Sequence, residues 1–184
     1  MKLNSADFQR GGFNEEDAMH VIKSLEELGV DLLEISGGTY ENIVFLTNRY
    51  QRESTRQREA YFMDFAHEIR KESKIPLMIT GGFRSLKFCE SVLKNNELDL
   101  IGFARPFLVE ADFPKRFLQS PDSRVKDAEF DFKIKQLRDM AEGGWYDYQI
   151  YRLAQGEDLE MDYNPYSAVL RMTWNEMKRG WFRF

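Results

Sequence analysis

Residues 75–85 read IPLMITGGFRS, and this stretch decides the fold because a nearly continuous apolar run leads into two glycines and a helix-starting serine. A short apolar run of this kind is typical of a parallel β-strand that is covered on both faces. Three further runs, at residues 2–5, 31–36 and 99–104, have similar strand character. The sequence therefore predicts four β-strands.

Amphipathic helical patterns separate these runs. Asn14 is suited to cap the first helix, and Gly29 is suited to end it in a left-handed conformation. The residues expected on the inward sides of the three helices are Ala18, Val21, Ile22, Leu25 and Leu28, then Phe62, Phe65, Ala66 and Ile69, then Leu86, Cys89 and Leu93. The element order βαβαβαβα predicts an α/β fold with parallel strands and right-handed crossovers.

The number of βα units leaves two architectures open. A complete (β/α)8 TIM barrel has eight units in about 250 residues, whereas this chain of 184 residues has four. It is therefore either an open four-stranded sheet or a (β/α)4 half of a TIM barrel. The first strand starts at the initiator methionine without a lead-in turn, which favours the half-barrel. Residues 1–118 form this part, and residues 119–184 are predicted to be a helical extension beginning near residue 124.

Composition excludes several classes of protein. The net charge is −5, and no basic run is long enough to favour nucleic acid or anionic lipid. The single cysteine, Cys89, excludes an intramolecular disulfide and a cysteine zinc cage. No apolar stretch approaches the about 18 residues that span a bilayer, and the polar N-terminus predicts no secretory signal. We therefore expect a cytoplasmic protein.

Two loops carry the candidate binding chemistry, because ligands of parallel α/β folds bind at the carboxyl ends of strands. Gly81 and Gly82 follow the third strand, where their backbone is able to approach an anion beside a helix start. Arg105 follows the fourth strand, and its guanidinium suits a phosphate. Each motif alone has a simpler explanation, a tight turn or a surface ion pair. Their occurrence after consecutive strands favours a phosphate site.

Other reactive residues have simpler interpretations. Lys2 points toward the interior or mouth of a barrel, although exposure at a frayed terminus is the favoured reading. His20 and His67 lie within helices and are interpreted as surface or packing residues, and Cys89 as a core residue. Residues 39–57 form a long arginine-rich connection, interpreted as a solvated loop. The aromatic stripe of the extension predicts helix packing through Trp145, Tyr148, Tyr151 and Leu153.

Five stretches resemble one family. KLNSADF at 2–8, GVDLLEISGGTYE at 29–41, IPLMITGGFRS and DLIGFARPFLVEADFPKRFL at 99–118 resemble the second half of the old yellow enzyme family. GGWYDYQIYRLAQGEDLE at 143–160 resembles the C-terminal extension of one of its branches. The members are TIM-barrel NAD(P)H:flavin oxidoreductases that contain FMN. The resemblance implies FMN as cofactor and NADH or NADPH as reductant.

The resemblance assigns roles to individual residues. Lys2 matches a basic residue beside the flavin pyrimidine, where a cation stabilises negative charge on reduced flavin. The phosphate loop is matched by Gly81, Gly82 and Phe83. Ala104 and Arg105 match a Gly-Arg pair that holds the same phosphate, and Ala104 departs from the usual glycine.

The resemblance also implies what this chain lacks. Strands 1–4 of the family supply further flavin contacts and the donors that hold a substrate carbonyl, so no catalytic residue is assigned here. We expect the inward side at Leu3, Leu33, Met78 and Ile101, or their neighbours, to be exposed, and the edge strands to pair with a missing N-terminal half-barrel or a second copy. The whole protein is then expected to reduce an electron-poor alkene. Two alternatives are a phosphate- or FMN-binding half-barrel without catalytic activity and an α/β interaction module.

Overall fold

The computed structural model describes residues 1–7, 11–36 and 62–181, with side chains described to residue 178. The chain divides into two compact units. The first comprises Met1–Ala104 with Arg116–Arg124, and the second comprises Arg105–Lys115 with Val125–Phe184. The division into residues 1–118 and 119–184 stays a prediction.

The first unit is built on four parallel strands: β1 (Lys2–Asn4), β2 (Leu33–Ser36), β3 (Leu77–Thr80) and β4 (Leu100–Gly102). Their order in the sheet is β1-β2-β3-β4, and every neighbouring pair is parallel. The sequence prediction of four parallel strands in an α/β fold is confirmed.

The two faces of the sheet differ in burial. Ile35 and Ile79 are register partners on one face, and both are almost completely buried. The opposite face carries a second row of register partners: Lys2, Glu34, Met78 and Leu100. Lys2 and Leu100 on this face are exposed. Burial among the described residues is therefore one-sided, which agrees with the expectation that helices cover one side of the sheet in a half-barrel arc, and not with the covering of both faces that the apolar runs indicate.

The expected exposure is wrong for Leu33 itself, which is buried, whereas the neighbours of the named residues, Lys2 and Leu100, are exposed on the open face. Leu3 and Ile101 share the face of Ile35 and Ile79, and Leu33 on that face has no exposed surface. A nearly continuous apolar run carries little information about which alternate residues point inward. Of the four residues expected to be exposed, only Met78 lies on the open face, and it is half-buried.

Three helices with buried apolar sides complete the core of the first unit: α1 (Glu15–Glu27), α2 (Met63–Glu72) and α3 (Leu86–Lys94). The Asn14 side chain caps α1 by accepting from the Glu16 and Asp17 N–H groups, and Gly29 has φ +73°, both as predicted. On α3 the buried residue is Val92, not Leu93. The step of three residues from Cys89 keeps Val92 on the inward side.

A 3₁₀ turn (Arg105–Leu108) and α4 (Phe113–Phe117) precede two long helices, α5 (Lys135–Ala154) and α6 (Pro165–Trp181). The expected helix start near residue 124 is wrong, because residues 128, 130 and 132 alternate in burial with exposed neighbours, which suits extended backbone. Trp145 is buried and packs as predicted, whereas Tyr151 and Leu153 are exposed.

The core of the second unit contains Val109, Phe130, Ala141, Trp145 and Ala168. Gly144 of α5 lies directly against α6, because a Cβ at this position would be 1.9 Å from the Ala168 carbonyl oxygen. The buried Gln149 side chain donates to the Glu160 carbonyl at 2.8 Å and accepts from the Glu160 N–H at 3.0 Å. Close backbone contact therefore joins α5 to α6, and hydrogen bonds hold the segment between the two helices against α5.

Candidate functional site

The carboxyl ends of the four strands lie at one edge of the sheet, because all strands run in the same direction. Asn4, Ser36, Thr80 and Gly102 are the last residues of the strands. Neighbouring ends are tied by backbone hydrogen bonds, from Ser5 N–H to the Ser36 carbonyl at 2.7 Å and from Gly81 N–H to the Gly102 carbonyl at 3.0 Å. This edge positions the loops that follow β3 and β4.

The loop after β3 has a backbone conformation that residues other than glycine rarely adopt. Gly81 has φ +96° and Gly82 has φ +84°, both in the region where glycine is preferred. The predicted need for two glycines therefore has a conformational basis. The Gly81 N–H donates to the Gly102 carbonyl. The backbone donors that remain for an anion are therefore those of the next residues, Gly82 and Phe83.

Two backbone donors of this loop have no hydrogen-bond partner among the described residues. Within the described ranges, no hydrogen-bond acceptor faces the N–H of Gly82 or of Phe83. Both residues are buried, and leaving a buried N–H unbonded costs about 1–3 kcal/mol. Successive free N–H groups in a glycine turn form an anion-binding concavity. The loop therefore fits a phosphate oxygen.

The Phe83 side chain anchors this loop. Its ring is fully buried, and the ring centroids of Phe88 and Phe103 lie 5.8 Å and 6.4 Å away. Ser85 then caps α3 by accepting from the Phe88 N–H at 3.4 Å. The two N–H groups therefore lie between the end of β3 and the capped start of α3, and the buried Phe83 ring anchors the segment that carries them.

Thr80 adds a third unbonded group to the edge. Its Oγ1 is enclosed and has no hydrogen-bond partner among the described residues. Gly102 on β4 lies beside it, since a Cβ there would be 2.1 Å from Thr80 Oγ1 and 2.7 Å from Met78 Cε. Sequence reasoning missed Thr80, although a hydroxyl at a strand end before two glycines is a recognisable signal.

Ala104 and Arg105 follow β4, as predicted, but they belong to different compact units. Ala104 is exposed in the first unit. Arg105 Nη1 donates to Glu142 Oε1 at 2.9 Å in the second unit, and its guanidinium lies over the Tyr146 ring at 6.0 Å. Arg105 therefore has an ion pair, and sequence patterns contained no signal for its partner Glu142 in a distant helix.

Lys2 lies on the open face of the sheet, where its Nζ is 3.1 Å from Glu34 Oε1. The two residues are register partners on β1 and β2. The Lys2 side chain is 58% exposed, which agrees with the simpler reading of an exposed lysine. Glu34 offsets part of the positive charge that the flavin role assigns to Lys2.

The remaining reactive residues have structural roles. His67 Nε2 lies 2.8 Å from Glu97 Oε2 at the surface, His20 is exposed and Cys89 is buried. The arginine-rich loop at 39–57 lies outside the described residues. Within the described part of the chain, no three His, Cys, Asp or Glu side chains cluster as metal ligands. None of the described helices combines the length and apolar character needed to cross a membrane.

Comparison with known proteins identifies relatives that are similar to this chain in sequence. NADH-dependent flavin oxidoreductase iliE of Neonectria sp. (strain DH2) is 37% identical over 128 residues, which cover 66% of this chain and 17% of the relative. NADH-dependent flavin oxidoreductase iccE of Talaromyces variabilis is 39% identical over 100 residues, covering 52% and 24%. NADPH dehydrogenase of Bacillus pumilus (strain SAFR-032) is 29% identical over 115 residues, covering 62% and 31%.

The chain thus spans less than a third of the length of each of these relatives. A family model described as the NADH:flavin oxidoreductase / NADH oxidase family matches residues 4–122, which include the whole sheet edge and both loops. The chain belongs to the NADH:flavin oxidoreductase / NADH oxidase family.

Proposed function

We propose that this chain is the FMN-phosphate-binding part of an NAD(P)H-dependent oxidoreductase of the ene-reductase type. The bound flavin would accept hydride from the nicotinamide and deliver it to an electron-poor alkene. The family and the printed names of the relatives support a flavin and a nicotinamide reductant. The observation that carries the proposal is that the buried N–H groups of Gly82 and Phe83 have no hydrogen-bond partner among the described residues.

The residues divide the work of holding the cofactor. Gly82 and Phe83 would donate backbone hydrogen bonds to the phosphate, with Gly81 shaping the turn. The backbone of Ala104 would lie close to the phosphate. Arg105 would donate to the phosphate from the guanidinium N–H groups that remain after Nη1 donates to Glu142. Lys2, on the open face, would lie beside the flavin pyrimidine. The Thr80 hydroxyl, which has no hydrogen-bond partner among the described residues, would orient the ligand at the strand end.

The same proposal includes a half-barrel that is completed by another chain segment. β1 and β4 are the sheet edges, and Leu100 on β4 is 49% exposed. Open strand edges favour pairing with further strands. The partner would be an N-terminal half-barrel or a second copy, and light scattering at micromolar concentration tests it. A stable monomer would contradict this part. A cytoplasmic location also stays a prediction.

FMN binding tests the central proposal. Titration of the purified chain with FMN, followed by flavin fluorescence, should show saturable binding that is stronger than the binding of riboflavin, which lacks the phosphate. Arg105→Ala should weaken FMN binding by about 1.5–3 kcal/mol, because it removes a charged hydrogen bond, and leave riboflavin binding unchanged. Equal binding of FMN and riboflavin by the unchanged chain would contradict the phosphate assignment.

FMN binding without hydride transfer is a second candidate. The Lys2–Glu34 pair favours it, because the carboxylate offsets the cation that would stabilise reduced flavin. Anaerobic addition of NADH or NADPH to the FMN-loaded chain separates the two functions. Bleaching of the flavin absorbance supports the oxidoreductase. Bound FMN that stays yellow supports the second candidate.

A further inference from the structure

One side of α6 presents large apolar side chains to solvent. Four of them are between 51% and 71% exposed: Tyr166, Leu170, Trp174 and Met177. The opposite side of the same helix packs on α5, where Ala168 is fully buried against Gly144 and Arg171 lies 2.8 Å from Asp147. The helix therefore has one packed side and one open apolar side.

The size of this open side matches one half of an interface between proteins. Its four side chains leave about 500 Å² in water, taking about 150–250 Å² for each complete side chain. A stable interface buries about 800 Å² on each partner, of which a little over half is apolar. The largest apolar patch of an ordinary monomer is about 300–600 Å² and is often functional. The open side of α6 is therefore large enough to form the apolar centre of an interface.

The sequence along this side is complementary to itself when it is read backwards. An acid, an aromatic, an aliphatic, an aromatic and a base follow one another at intervals of four residues: Asp162, Tyr166, Leu170, Trp174 and Lys178. Asp162 is exposed in the turn before α6, and the other four form one ridge along the helix. In an antiparallel pair with Leu170 on the two-fold axis, each Tyr166 meets a Trp174. Each Lys178 then meets an Asp162.

The charges at the two ends of this row have no ion pair in the described part of the chain. Lys178 Nζ lies over the Trp174 ring, 5.2 Å from its centroid, and has no carboxylate partner there. Asp162 is exposed and likewise has no cationic partner among the described residues. Sixteen residues separate the two, about 24 Å along a helix, so they do not reach each other within one copy. An antiparallel second copy brings them together twice.

We propose that the open side of α6 is a docking surface for a second copy of this chain, packed antiparallel about a two-fold axis at Leu170. Ridges of residues spaced by four interlock at about −50°, the commonest packing of helices in globular proteins. Burial of the apolar side chains supplies the attraction, and the two Asp162–Lys178 pairs fix the register and direction.

The charges before α6 favour a second copy over an anionic lipid surface. Four acidic residues lie within the six positions at 157–162: Glu157, Asp158, Glu160 and Asp162. Carboxylates beside the apolar side are repelled by anionic headgroups, whereas the Lys178 of a second copy attracts them. The surface uses residues of the helical unit alone, so it does not depend on the proposed flavin site.

Sedimentation velocity of the 184-residue chain at micromolar concentration should show dimers that dissociate on dilution. Leu170→Glu should raise the dimer dissociation constant at least about 100-fold, because it removes two buried leucines and places two carboxylates together on the axis. Leu118→Glu is the matched control, since Leu118 is also 71% exposed but lies outside α6, and it should leave the constant unchanged. Circular dichroism verifies that both variants fold.

Charge reversal tests the antiparallel register. Lys178→Glu should weaken the dimer about 10-fold, because two attractions become repulsions. Adding Asp162→Lys to Lys178→Glu should restore the affinity. Leu170→Cys should form a disulfide-linked dimer with oxidised glutathione, because residues on the axis of helices about 8–10 Å apart are within disulfide reach. Leu118→Cys should not, and the native Cys89 is buried.

Three results would overturn the proposal. The first is a chain that stays monomeric at these concentrations, including one that instead sediments with vesicles of phosphatidylcholine and phosphatidylserine, which would assign the surface to lipid. The second is a dimer that Leu170→Glu leaves intact, as expected for pairing through the strand edges alone. The third is a failure of the double charge reversal to restore the affinity, or of Leu170→Cys to form the linked dimer.

Discussion

The two units of the molecule treat their buried polar groups differently. In the helical unit, Gln149 is bonded twice to the Glu160 backbone, and Arg171 is paired with Asp147. At the sheet edge, the N–H groups of Gly82 and Phe83 have no partner within the described residues. Among the described residues of the helical unit, Arg138 Nε is the one buried polar side-chain atom without a hydrogen-bond partner, whereas the N–H groups of Gly82 and Phe83 and the Thr80 hydroxyl lack partners together at the sheet edge.

This difference indicates where a ligand belongs. Buried polar groups in folded proteins are nearly always hydrogen-bonded, so several unbonded groups at one edge are expected to bind something outside the chain. Groups that are bonded internally contribute to packing and geometry instead. Substitutions of the internally bonded groups of the helical unit should therefore change stability, and substitutions of the unbonded groups at the sheet edge should change ligand binding.

The largest expected effect is on the helical unit, at two adjacent glycines of α5. Gly144→Ala should destabilise the fold by about 3 kcal/mol, because its Cβ would be 1.9 Å from the Ala168 carbonyl oxygen. Gly143→Ala is the matched control, with its Cβ 3.6 Å from Met172 Sδ, and should stabilise the helix by about 0.5–1 kcal/mol. Urea denaturation measures both. Equal effects would show that α5 and α6 do not touch at Gly144.

Gln149→Leu should cost about 2 kcal/mol, since it leaves the N–H and the carbonyl of Glu160 without their side-chain partner. The same urea series measures it. FMN affinity should be unchanged wherever the variant is folded, because Gln149 acts on packing. A Gln149→Leu protein as stable as the unchanged chain would contradict the internal bonding described for this unit.

Thr80→Val should increase the stability of the fold, in contrast to Gly144→Ala and Gln149→Leu, which should decrease it. Removing the enclosed, unbonded hydroxyl should stabilise the ligand-free protein by about 1 kcal/mol and weaken FMN binding. Thr173→Val is the control from the helical unit, where Oγ1 donates to the Val169 carbonyl at 2.9 Å. It should not increase stability. Loss of stability in Thr80→Val would mean that the hydroxyl is satisfied within the protein.

The smallest effect is a pH dependence in the sheet unit, away from the edge. Hydrogen bonds from His67, then Asn95, hold the pKa of Glu97 below its usual value. A lowered folded-state pKa stabilises the fold above the unfolded-state value, about 4.3, and this stabilisation disappears as the pH falls through the folded-state pKa.

Glu97→Gln should therefore remove part of the stability difference between pH 6 and pH 3, by less than about 1 kcal/mol because the pair is partly exposed. Urea midpoints across this range measure the change. Glu27→Gln on α1 is the exposed control. An identical acid slope in Glu97→Gln and the unchanged chain would contradict the assigned role.

Local sequence signals predicted local structure well. The four apolar runs correspond to β1–β4, Asn14 caps α1, and the glycines at 29, 81 and 82 have positive φ. These features depend on backbone geometry and on chain neighbours. The same signals placed the glycine loop after β3, at the edge where strand direction brings the carboxyl ends together.

Features that depend on distant residues were not predictable in the same way. The apolar runs did not reveal which face of the sheet is open, so Leu33 was expected on the wrong side. Glu142 and Arg105 are 37 residues apart, and no spacing rule connects a 3₁₀ turn to a later helix. The unpaired state of Arg138 is likewise a property of packing, visible only once its neighbours are placed.

The most direct measurement is a two-dimensional amide NMR titration of the isotopically labelled chain with FMN and with riboflavin. The account predicts that FMN shifts the Gly82 and Phe83 amide resonances downfield, as expected for new hydrogen bonds to phosphate, while riboflavin leaves them in place. The Gly81 amide, already bonded to Gly102, should move little. Unchanged Gly82 and Phe83 amides at saturating FMN would contradict the claim that this edge binds the cofactor phosphate.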